Sequence, residues 1–180
     1  MINVETQRKL DLAVTITRGI DEPFDTMMQT HGIVISPFIE TVTLSDDGQL
    51  SVNPDYVRRI EIAYLIAVFR HEARHLSLRH LERWKKYREA LYKADWPEDL
   101  IMSGVRRWTL VTLMWNIASD LELADFMQTM PVTRDKDGIK SFKPPCSQVA
   151  CMESELVMDY WFKKETDRTE IHEFAKGRIP

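Results

Sequence analysis

Ile60-Glu61-Ile62-Ala63-Tyr64-Leu65-Ile66-Ala67-Val68-Phe69-Arg70-His71-Glu72-Ala73-Arg74-His75 is the stretch that decides the fold. Ile60, Ala63, Tyr64, Ala67 and Val68 recur at helical spacing, and the intervening Ile62, Leu65, Ile66 and Phe69 are apolar too. A helix that is apolar nearly all round belongs in the middle of a domain. Upstream, Asn53 and Pro54 supply an N-cap and a first-turn proline. One long helical region is therefore expected from Asn53 into His71.

The end of that stretch carries the chemistry. Residues four apart on a helix stand one above the other, so the imidazoles of His71 and His75 can reach a single ion. Glu72 lies beside them in angle, where its carboxylate can hydrogen-bond a water on the metal without ligating it. Two neutral nitrogen ligands and a base for the water's proton are what a zinc hydrolase needs. Because the motif follows an apolar helix, its ionisable groups start in the interior, where burial demands a partner. Zinc held by His71 and His75, with Glu72 as the catalytic base, is the expectation.

A third ligand comes from elsewhere. A later helix is expected from about Val105 to Met127, and on it Leu113, Asn116, Asp120 and Leu123 share one face. Two polar residues in an apolar stripe favour Asp120 as third metal ligand, with Asn116 supporting it. The plainer reading of Asp120 is a buried carboxylate paired with Arg74 or Arg106. Glu122 points about 160° away from Asp120 and is expected in solvent. On a continuous helix His80 falls roughly opposite His71, which suits packing or a supporting hydrogen bond better than ligation. Glu122 and His80 stay open as weaker alternatives. For the oxyanion of an attacked carbonyl, His31, Tyr160 and Arg74 are equal candidates.

The rest of the chain reads as an α+β, mostly helical domain spanning residues 1–180. Hydrophobic residues make up 44% and charged residues 29%, the balance of an ordinary globular protein. A net charge of -4 gives no footprint for nucleic acid. No apolar run spans a bilayer, so no membrane partner is expected. No feature specifies an oligomeric state. Residues Met1 to Thr6 lack a basic-then-apolar export pattern, which points to a reducing cytoplasm with Cys146 and Cys151 as free thiols.

Leu12, Ala13, Ile16 and Ile20 form an apolar stripe on a first helix, Glu5 to Ile20. A short helix through Phe24, Met27 and Met28 follows, ended by Gly32. Thr41–Leu44 and Leu50–Asn53 alternate around Asp47-Gly48, the pattern of a β-hairpin with Val42, Leu44, Leu50 and Val52 inward. Its exposed edge would suit an extended peptide. After His80 the chain turns polar, as a solvated helix does. Asp95-Trp96-Pro97-Glu98 reads as a helix start, Pro131 to Pro145 as loop, and Glu153 to Lys164 as a last helix.

In order, Asp46-Asp47-Gly48, Val52-Asn53-Pro54-Asp55-Tyr56-Val57, His71-Glu72-x-x-His75-x-x-Leu78-x-His80 and Trp115-Asn116-Ile117-Ala118-Ser119-Asp120 resemble a metallopeptidase-type domain. That domain often precedes a von Willebrand A-like domain in bacterial and phage proteins. The resemblance covers about Pro37 to Asp120, with a weaker echo at Glu153 to Trp161. It implies a zincin-like fold, a zinc cofactor and a peptide or protein substrate. It maps the family's metal histidines onto His71 and His75, its glutamate onto Glu72 and its aspartate onto Asp120. Arg74 departs from the pattern, since the family carries an apolar residue there. The stretch between His80 and Trp115 is longer than usual. Three other functions compete: a non-catalytic zinc-binding structural or interaction module, a hydrolase of non-peptide bonds, and a metal-free helical protein.

Overall fold

The computed structural model describes residues 2–45, 47–93, 105–123, 153–155 and 157–158. They divide between two compact units, the first ending at Arg79 and the second starting at His80. The expected helix start at Asp95, the loop from Pro131, Cys146, Cys151, Tyr160 and the far end of the last helix lie outside the described residues.

In the first unit, α1 runs Val4–Ile20 behind an Asn3 cap, whose side chain accepts the Thr6 N–H at 2.8 Å. Its inward face is not the expected stripe. Thr6, Leu10, Ala13 and Thr17 are buried, whereas Leu12, Ile16 and Ile20 are exposed. Thr17 can face the interior because its hydroxyl donates to the Ala13 carbonyl at 2.7 Å, which leaves only its methyl to pack. A hydropathy count misses that conversion of a polar residue into an apolar one.

Helix α2, Glu22–Thr30, starts at Asp21 with Pro23 in its first turn and ends at His31, followed by Gly32 at φ +70. Three short strands follow: β1 (Ile33–Ile35), β2 (Val42–Leu44) and β3 (Leu50–Val52), in sheet order β1-β3-β2. The hairpin is present in the expected register, with Val42 opposite Val52 and Leu44 opposite Leu50. Val42, Leu50 and Val52 are buried and Leu44 half-buried. Gly48 turns it at φ +86, and a Cβ there would meet the His31 ring at 3.0 Å. Strand β1 was not expected. It pairs parallel to β3, Ile33 with Leu50 and Ile35 with Val52. Three apolar residues with two of them exposed show no alternation that could announce a strand. It also covers one flank of the hairpin, so β2 remains the hairpin's outer strand.

The helical region after Asn53 is two helices, not one. Asn53 caps α3, Pro54–Arg59, accepting the N–H groups of Asp55 and Tyr56. Ile60 and Glu61 are extended, and α4 follows as Ile62–Ser77. The break turns Ile60 into the core, where it is 2% exposed. Lys9 reaches across from α1 to donate to the Ile60 carbonyl, so the end of α3 is not left unsatisfied. One core joins Leu10 and Ala13 of α1, Phe24 and Met27 of α2, the sheet's Val42, Leu50 and Val52, and Leu65, Phe69 and Ala73 of α4. The rings of Phe24 and Phe69 stack with centroids 5.3 Å apart.

In the second unit, α5 (His80–Lys93) and α6 (Val105–Glu122) meet through Trp84 and Tyr87, whose rings lie 5.3 and 5.6 Å from that of Trp115. Glu82, Lys85, Lys86 and Glu89 are exposed, as a solvated face requires. Glu153 and Val157 add a helical bond, from the Val157 N–H to the Glu153 carbonyl. The chain is thus mostly helical with a small three-stranded sheet packed beside α4. Among the described residues no helix is long and apolar enough to cross a membrane.

The inward face of α1 is checked by urea unfolding. Leu10→Ala should lower stability by about 2–5 kcal/mol. Leu12→Ala and Ile20→Ala should each stay within about 0.5 kcal/mol.

Candidate metal centre

On helix α4, His71 and His75 stand about 160° and 120° from Phe69, on the face turned away from the first unit's core. Both imidazoles and Glu72 are half-buried. The two rings stand edge to face, with centroids 4.5 Å apart and planes at 81°. His71 Nε2 and His75 Nε2 approach to 2.9 Å. Without metal, one ring donates an N–H to the other. Two imidazole ligands of a tetrahedral zinc, at Zn–N of about 2.0–2.1 Å, place their nitrogens about 3.4 Å apart. A small outward turn of either ring separates the pair that far, so the residues fit the ion.

The register of α4 is held by a carboxylate outside the motif. Asp21 has a side chain 0% exposed. Its Oδ2 accepts from Arg70 Nε at 3.1 Å and lies 3.0 Å from Arg74 Nη2, while Oδ1 accepts from Arg74 Nη1 at 3.2 Å. The same Oδ1 caps α2 by accepting the Phe24 N–H at 3.1 Å, and the Asp21 N–H donates to the Thr17 carbonyl at the end of α1. Arg74, the motif's departure from the family pattern, thus serves this carboxylate. That engagement makes it a poor oxyanion donor. Of the other oxyanion candidates, His31 lines a cavity of about 350 Å³ with Thr26, Thr30 and Leu76, and Tyr160 lies outside the described residues.

In the second unit, the buried face of α6 is Met114, Trp115, Ile117, Ala118 and Leu121. Of the expected stripe, Leu123 is buried and Asp120 lies half-buried at the edge of the apolar face, whereas Asn116 is exposed. Glu122, expected in solvent, is turned inward instead. It is 13% exposed and receives Arg83 through both oxygens, at 2.8 and 3.0 Å, and Ser154 through N–H and hydroxyl at 2.8 and 2.7 Å. Arg83 also donates to Glu155 at 2.9 Å.

His80 is buried and opens α5, with Nε2 3.3 Å from Glu122 Oε2. The helix does not continue through it: α4 ends at Ser77, and Arg79 takes a left-handed φ of +58. The break changes the direction of the His80 side chain, and its observed partner is Glu122. Sequence spacing carried no signal for this Arg83–Glu122–Glu155 network, because its members come from three separate segments.

Comparison with protein families, with curated proteins and with solved structures gives no match.

Burial alone would raise the Glu122 carboxyl, but the hydrogen bonds from Arg83 and Ser154 and the neighbouring His80 outweigh it and hold it at about 2, against an ordinary 4.5. A folded value below the unfolded one stabilises above the unfolded value and loses that contribution as pH falls through the folded one. Wild-type stability should therefore fall between pH 4.5 and 2. Glu122→Gln should be less stable at neutral pH and show a flatter acid slope, followed by intrinsic tryptophan fluorescence.

Proposed function

We propose that this chain is a zinc-dependent hydrolase of the zincin type, acting on peptide bonds, with His71, His75 and Asp120 as metal ligands and Glu72 as general base. The observation that carries the reading is the convergence of His71 Nε2 and His75 Nε2 to 2.9 Å, with Glu72 on the next residue of the same helix. Paired imidazoles four residues apart with an adjacent carboxylate are a donor set that suits zinc and a proton acceptor in one turn. Asp120 enters on its sequence context in Trp115-Asn116-Ile117-Ala118-Ser119-Asp120 and on its half-buried place near the end of α6. A hard carboxylate oxygen with two imidazoles leaves one position open, as a catalytic zinc requires.

Zinc held by these residues would supply Lewis-acid polarisation. Glu72 takes the proton released as water attacks the peptide carbon and returns it to the amine as the C–N bond breaks. His71 and His75 would bind the ion through neutral imidazole nitrogens.

Turnover of a mixed fluorogenic peptide set by zinc-loaded protein tests the reading. Glu72→Gln should keep its zinc and lose about 100-fold or more of the rate. Zinc retention with wild-type turnover in Glu72→Gln would remove the general base. Zinc binding without turnover of any peptide in the wild type would leave a structural zinc module instead.

A further inference from the structure

We propose that Asp21 is a positioning residue for the metal pair, setting the roll of α4 through Arg70 and Arg74; the inference rests on the zinc reading of His71 and His75. Each arginine immediately precedes a motif histidine, so the two clamp points are four residues apart, at the same two levels of the helix as the ligands. Both converge on one carboxylate that no solvent reaches, at 3.0 to 3.2 Å.

The apolar contacts of α4 cannot do this alone. The hydrophobic drive behind the core around Phe24, Leu65 and Phe69 is non-directional. Hydrogen bonds to a charged group fix direction as well as distance. Asp21 is itself fixed from both sides, by its N–H at the end of α1 and by its capping bond at the start of α2.

Roll matters because the motif supplies only two ligands. His71 and His75 share a helix and stay together however it turns, but whatever completes the sphere lies off α4. An imidazole nitrogen sits roughly 6 Å from the helix axis, so a roll of about 20° moves it by about 2 Å. Metal–ligand distances tolerate about 0.2 Å. A helix free to roll therefore binds the ion with poorer geometry, even when both histidines are present.

The test is cobalt and zinc binding to the full chain, by chelator competition and by the visible ligand-field spectrum of the cobalt form. Asp21→Asn keeps shape and removes the charge that both arginines share. It should weaken metal binding by about 10- to 100-fold and shift the cobalt spectrum. Adding Arg74→Gln to Asp21→Asn should weaken binding no further, because the two form one clamp. Leu10→Ala, which loosens the same core without touching the clamp, should bind with wild-type affinity and spectrum. Wild-type affinity and spectrum in Asp21→Asn would overturn the positioning role while leaving the metal site intact. An equal weakening in Leu10→Ala would also overturn it, by showing a general effect of stability. Failure of the wild type to bind either metal would overturn the zinc reading, and this inference with it.

Discussion

A buried carboxylate, Asp21, organises the first unit. Hydrogen bonds and ion pairs tie this one residue to the end of α1, the start of α2 and the two arginines of α4. A charge removed from water is tolerable only with full pairing, and removing one partner of such a pair costs about 3–5 kcal/mol. The Phe24–Phe69 stack lies on the α2–α4 contact that the carboxylate ties, so the directional tie and the apolar packing locate the same helix. The histidines ride on that helix, on the face the core does not use.

The second constraint is the end of α4. Arg79 takes a left-handed conformation that most residues avoid, and the helix stops at Ser77. His75 therefore stands in the last turn of its helix, and His80 starts another. The break separates two histidines that a continuous helix would have shared. It assigns His80 to the polar network of the second unit, where Glu122 holds both it and Arg83.

Much of this was legible in the sequence where a single local rule decides. Asn53-Pro54 and Asp47-Gly48 each announce a cap or a turn by backbone chemistry alone, and each appears as expected. The spacing of His71 and His75 brought their rings together for the same reason. What was not legible depended on partners distant in the chain. Leu12 and Ile16 look like core residues and are exposed, because Thr17 and Thr6 take the inward positions. Strand β1 exists because β3 was free to pair on its second side. Glu122 reads as solvated from spacing alone but is met by Arg83 and Ser154, and Arg74, a charge within the His-Glu-x-x-His pattern, pairs with Asp21. Helical wheels find apolar faces but cannot tell which polar side chains have been matched.

The central claim is that His71 and His75 hold zinc, and metal content measures it directly. Elemental mass spectrometry on protein purified without a histidine tag should find one zinc per chain, depleted in His71→Ala, His75→Ala and Asp120→Ala. No zinc in the wild type after zinc addition, or unchanged zinc in the histidine variants, would contradict it.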